Sequence, residues 1–112
     1  MNEIVQLPDR VNLAFLKQDG LRPVTVSFGG KDLSEYQFKA EIVPPSGEPV
    51  ALSIDDTDAK DGNVVISLSV ESAEDLPVGE GSTWYLQWIK PGEGEAPPEE
   101  VITVMTGDVT IL

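Results

Sequence analysis

The sequence predicts an all-β domain: an immunoglobulin-like β-sandwich of about seven mostly antiparallel strands, with one short helical turn in a crossover. Three observations carry this. Apolar residues recur at every second position in short stretches, which is the period of a half-buried strand. The stretches are separated by Gly, Pro, Ser and Asp, residues that favour turns. The spacing between them suits hairpins and short crossovers better than a helix-bearing sheet. An OB-like or other small barrel is the structural alternative, because periodicity counts strands without saying how they close.

Residues 1–10 contain Leu7-Pro8-Asp9 and no sustained period, which predicts a flexible or edge-pairing arm ahead of one sandwich domain over 11–112. The first strand is expected over 11–17, with Val11, Leu13 and Phe15 inward and Gln18-Asp19-Gly20 as its turn. The second, over 23–28, sets Val24, Val26 and Phe28 on one face and ends at Gly29-Gly30. The third has the cleanest alternation, with Tyr36, Phe38, Ala40 and Ile42 inward and Gln37, Lys39 and Glu41 wet. Pro44-Pro45-Ser46-Gly47 is a stiff turn into a fourth short strand over 50–54.

A polar loop over 55–63 leads to a fifth strand whose inward set is Val64, Ile66, Leu68 and Val70. Ser72 and Asp75 form a candidate capping pair, and Pro77 and Gly79 limit any helix there to about one turn. Leu76 is expected to cover the open end of the core. The sixth strand, over 84–89, has large residues on both faces; Trp84, Leu86 and Trp88 are assigned inward and Tyr85 and Ile89 partly outward, with the opposite phase left open. A hairpin connection rich in Gly, Pro and Glu, with a mobile tip expected, spans 91–100. In the last strand Ile102 and Val104 are out of phase with Val109 and Ile111, and a bulge at Gly107 would restore one face.

The chain has 112 residues and 40% apolar content, enough for one domain with a modest core and too apolar for wholesale disorder. It lacks the long apolar run of a membrane span or a recognisable secretion signal, so a soluble protein is expected. A net charge of -13 without a basic cluster repels phosphate backbones and anionic headgroups, so neither nucleic acid nor membrane is an expected partner. With no Cys there is neither disulfide nor thiolate, and with no His the usual neutral-pH base and commonest metal ligand are missing.

No stretch reads as a catalytic, cofactor-binding or metal site, and the chain is expected not to be an enzyme and to need no cofactor. The loop over 55–63 invites a calcium reading. If Asp56 and Asp58 are the first two ligands, however, Lys60 falls at the third, Gly62 comes one place late and no Glu closes the loop. Glu74 with Asp75, and Glu99 with Glu100, are adjacent loop charges rather than carboxylates held across a cleft. Ser27, Ser34, Ser67, Ser69, Ser72 and Ser82 have no His to activate them. Gly29-Gly30-Lys31 is too short for a phosphate loop. Tyr36, Trp84, Tyr85 and Trp88 could build a sugar platform if Tyr85 and one Trp faced out, which keeps a carbohydrate- or receptor-binding module as an alternative.

At Lys31-Asp32-Leu33-Ser34, followed by Phe38-Lys39-Ala40-Glu41-Ile42, the chain resembles small tailed-phage virion domains: the amino-terminal Ig-like domain of baseplate upper proteins and related tail or fibre modules. The pieces that continue the resemblance are Pro45-Ser46-Gly47, Ile66-Ser67-Leu68, Ser72 through Gly79, Trp84-Tyr85-Leu86-Gln87 and Thr106-Gly107-Asp108-Val109-Thr110-Ile111, in that order over 11–112. Tyr85 stands where an aspartate is common in the family. The resemblance implies a non-enzymatic structural or assembly role in a virion assembled in the host cytoplasm. It also implies contacts with copies of itself or with another virion protein, through the 1–10 arm or the terminal strand. A bacterial adhesin or periplasmic Ig-like domain is a third reading.

Overall fold

Alternating apolar side chains fold into two layers in the computed structural model, which describes residues 9–30, 32–92, 94–97 and 100–112. The strands are β1 (Asp9–Arg10), β2 (Leu13–Phe15), β3 (Leu21–Ser27), β4 (Gln37–Val43), β5 (Val50–Ala51), β6 (Ser53–Asp55), β7 (Asn63–Leu68), β8 (Gly79–Lys90) and β9 (Glu100–Ile111), with one helical turn, α1 (Val70–Ala73). The larger sheet runs β1-β9-β8-β4-β5, with β2 also on β9; the smaller runs β3-β7-β6. All pairings are antiparallel except those of β1 and β2 with β9. This is an immunoglobulin-like sandwich, as expected.

Among the described residues the nine segments reduce to the expected seven because two strands are interrupted. The expected strand over 50–54 changes sheets at Leu52: β5 pairs with β4 and β6 pairs with β7, while Leu52 is buried between the layers. The first strand is broken at Val11-Asn12. There the Val11 carbonyl turns toward the interior and accepts a hydrogen bond from the Trp84 indole Nε1–H at 2.7 Å. The Val11 N–H still bonds the Thr106 carbonyl at 2.8 Å, and the Asn12 side-chain oxygen accepts from the Asp108 N–H at 3.0 Å. Val11, expected inward, is therefore 39% exposed.

Gly107 makes this arrangement possible. A Cβ at that position would lie 1.9 Å from the Val11 oxygen, closer than any atom can approach, so the requirement is for space rather than for an unusual φ. Gly107 pairs with Trp84 in regular register; the expected bulge lies three residues earlier. Leu86 pairs with Met105 and Gln87 with Thr103, leaving Val104 as the extra residue. Val104 and Met105 both pack on the core opposite Leu86, which restores the phase of Val109 and Ile111.

The main core joins Ala40, Ile42, Trp84, Leu86, Val109 and Ile111 of the larger sheet to Val26, Ile66 and Leu68 of the smaller, with Phe38 half-buried against them. A second cluster of Leu33, Ala59 and Trp88 closes one end. Phe28 and Tyr36 lie against Trp88 with ring centroids 5.3 Å apart in each case. The other end is closed by Leu76, which is 1% exposed.

Two further residues assigned inward are half-exposed. Val24 keeps the expected face, opposite buried Ile66 and on the side of Val26, but it is 38% exposed at the edge of the smaller sheet, next to the register slip around a proline that has no N–H for the ladder. Val70 is 45% exposed because it opens α1 instead of ending β7. The cap of α1 is Ser69, whose hydroxyl oxygen accepts from the Ser72 N–H at 3.1 Å, rather than Ser72 with Asp75. The 55–63 loop contains a short 3-10 turn, Ala59–Asp61, and buries Ala59. The 1–10 arm lies outside the described residues except for Asp9 and Arg10, which pair with Met105 and Thr106. The expected tip of the 91–100 connection falls partly on undescribed residues.

Two outcomes follow. Gly107→Ala displaces Val11 and leaves the Trp84 indole without its acceptor; a loss of about 2 to 4 kcal/mol in urea unfolding is expected, with faster hydrogen exchange at the Val11 amide. Leu76→Ala opens one end of the core and is expected to cost about 2 to 5 kcal/mol, read as a lower urea midpoint at unchanged m-value.

Candidate interaction surface

The outer face of the larger sheet is built by the same alternation that builds the core. Ala40 and Ile42 point inward on β4, so Gln37, Lys39, Glu41 and Val43 point outward. On β8 the outward set is Thr83, Tyr85, Gln87 and Ile89, and on β9 it includes Val101, Thr103, Thr106, Asp108 and Thr110. Register aligns Glu41, Tyr85 and Thr106 in one row and Lys39, Gln87 and Thr103 in the next.

Side chains in these rows hold one another. The Tyr85 hydroxyl donates to the Glu41 carboxylate, and Lys39 Nζ lies 3.7 Å from the same carboxylate. Gln87 Nε2 donates to the Thr103 hydroxyl at 3.1 Å, and the Thr106 hydroxyl donates to the Trp84 carbonyl at 2.9 Å. At the far edge, Arg10 Nη2 bonds Asp108 Oδ2 at 2.8 Å, both side chains being well exposed. The hydrogen bond to Glu41 raises the Tyr85 pKa above its ordinary value, with desolvation and the carboxylate charge adding in the same direction. Among the described residues of this face Arg10 and Lys39 are balanced by Asp108 and Glu41, and Glu80, which lies beside Asp108 and Thr110, adds one acid at the edge, on a chain of net charge -13.

The candidates weighed from sequence lie elsewhere. Asp55 accepts from the Thr57 N–H at 3.0 Å and its hydroxyl at 2.8 Å, and those bonds hold its carboxyl below the usual carboxylate range. Asp58 Oδ2 accepts from Asn63 Nδ2 at 2.7 Å. These carboxylates are turned into their own loop, and among the described residues no group of three or more acidic, His or Cys side chains is placed to hold a metal. Asp32 likewise serves its own turn, accepting from the Ser34 N–H at 2.9 Å.

Of the four aromatics considered for a sugar platform, Trp84 and Trp88 are buried and Tyr36, half-buried, packs on Trp88 at one end of the sandwich. Tyr85 alone is on the outer face. Glu74 and Asp75 are exposed at the end of α1, and Glu99 lies outside the described residues. Ser82 is buried at 1% exposure. Two shallow clefts flank the edge near β2. One, of about 390 Å³, is lined by Asn12, Glu80, Gly81, Asp108, Val109 and Thr110. The other, of about 290 Å³, is lined by residues that include Phe15, Leu16, Leu21, Pro23 and Val24.

Sequence reasoning treated the outer face only as the wet side of each strand. The available signal was the choice of Thr, Gln and Val at alternate positions of 83–89 and 101–110, residues that suit a flat sheet surface.

A pH dependence follows from Tyr85. Its folded pKa lies above the ordinary 10.0, so the neutral phenol contributes stability that is intact below the unfolded value and lost as pH rises through the folded one. Urea midpoints at about pH 8 and about pH 11 are expected to fall further for the wild type than for Tyr85→Phe, which has no phenol to ionise.

No protein-family model and no curated protein matches the chain. Among solved structures it is similar to the cysteine protease inhibitor EhICP2 from Entamoeba histolytica, at 18% identity over 90% of this chain and 84% of that one, with a TM-score of 0.42. A likeness at that level carries no argument about activity.

Proposed function

We propose that this chain is a non-enzymatic structural or assembly module of a tailed-phage virion, working in a tail, baseplate or fibre attachment through protein-protein contacts. The observation that carries the reading is the ordered run of motif pieces from Asp32-Leu33-Ser34 to the 106–111 segment. Those pieces fall on the framework of the sandwich. Leu33 is fully buried in the end cluster, 66–68 is part of the central strand of the smaller sheet, and Trp84 and Gly107 form the seat of the first strand. A rigid module of this kind contributes a surface and a fixed geometry rather than chemistry. In keeping with that role, the larger sheet offers a broad outer face whose side chains are already held in place before any partner arrives.

A carbohydrate-binding role needs outward aromatic rings, and only Tyr85 of the four candidates is placed that way. The virion reading is tested by quantitative mass spectrometry of purified particles of the phage that encodes this chain. The chain is expected at a fixed copy number relative to a tail protein; its absence from intact particles overturns the reading.

A further inference from the structure

We infer that the outer face of the larger sheet is a self-association surface, and that its occupant is the same face of a second copy of this chain. The inference rests on the assembly reading and names its surface and partner. Charge is the first argument. The chain has 20 acidic and 7 basic residues, so most faces of one copy repel most faces of another. This face is different: Arg10 is bonded to Asp108 and Lys39 lies by Glu41, and Glu80 beside Asp108 and Thr110 adds one acid at its edge. Setting two such faces together brings far less charge against like charge than most other pairings of faces.

Area is the second argument. The twelve residues of β8 and of β9 form a central band up to about 40 Å long, and the shorter β4, β5 and β1, separated by about 4.8 Å, widen it to roughly 20 Å at the row of Glu41, Tyr85 and Thr106. A patch of that shape, roughly 600 Å² in projection, approaches the roughly 800 Å² of accessible surface per partner of a standard stable interface. The surface suits such packing in texture as well. Its centre is Tyr85, Gln87 and Thr103, with Ile89 and Val101 beside them, and the cross-strand hydrogen bonds limit the side-chain freedom lost on contact.

Register constrains the pairing. A twofold axis running along β8 lays β9 of each copy over β4 of the other. The row of Glu41, Tyr85 and Thr106 then meets its own copy, and Arg10 comes within about one strand spacing of Glu41 across the interface. Each pair of charges already present within a copy is thereby extended across the contact.

The test is light scattering and sedimentation equilibrium on the purified chain, with circular dichroism to confirm folding of every variant. The wild type is expected at twice 12.1 kDa. Gln87→Lys, which meets its own copy between the Lys39 side chains of the two copies, and Thr103→Arg, which lies over Lys39 of the other copy, each set like charges across the contact and are expected to weaken the dimer about tenfold or more. Ser67→Glu, on the outer face of the smaller sheet, is expected to leave it intact. A wild-type monomer at about 0.1 mM, or a dimer that Ser67→Glu weakens while Gln87→Lys and Thr103→Arg do not, overturns the inference. A monomer that is nonetheless found in purified particles overturns the self-association alone and leaves the assembly reading standing with a different protein as partner.

Discussion

The bond from the Trp84 indole to the Val11 carbonyl, seated over Gly107, ties the first strand to the rest of the sandwich. Without a disulfide, the edge of the larger sheet is held by ladder hydrogen bonds and by what lies beneath them. The first strand gives up regular pairing at Val11-Asn12, and three bonds hold it there: Trp84 bonds the Val11 carbonyl, the Thr106 carbonyl accepts from the Val11 N–H, and the Asn12 side chain accepts from the Asp108 N–H. A buried indole N–H with no acceptor would cost about 1 to 3 kcal/mol, so Trp84 and the kink in the first strand require each other. Gly107 is the residue that permits both.

From this seat the larger sheet is ordered outward. Trp84 and Leu86 on β8 face the core, which forces Tyr85 and Gln87 to the opposite side, in line with Glu41 and Lys39 on β4 and with Thr106 and Thr103 on β9. The bulge at Val104 keeps both halves of β9 in phase with β8. Without it, either Ile102 or Val109 would have turned away from the core, and the outer rows would not have aligned. The chemistry of the outer face is thus a consequence of core packing.

Much of the sandwich was legible from periodicity alone. The segments Tyr36 to Ile42 and Trp84 to Trp88 turn the faces that their alternation predicts, because long alternations with one strongly apolar side leave little choice of register. What escaped was set by partners distant in sequence. Val24 and Val70 alternate as core residues should, yet one keeps its inward face on an edge strand that leaves it half-exposed and the other opens a helical turn. The change of sheet at Leu52 is invisible to a period of two, since both sheets demand the same alternation. The change of phase across Thr106-Gly107-Asp108 points to a bulge at Gly107, whereas that glycine makes room for Val11 and a valine supplies the extra residue. The balance of charge on the outer face was illegible for the same reason: Arg10 and Asp108 are 98 positions apart.

The parallel pairing of β1 and β2 with β9 has a mechanical meaning. Because the two strands run the same way, tension applied between the start of the first and the end of the last pulls along the ladder in shear. The bonds linking Val11 to Thr106, Phe15 to Leu112 and Lys17 to Leu112 are then loaded together instead of being peeled one by one. A link in a chain of connected parts that must transmit force without stretching is well served by that geometry.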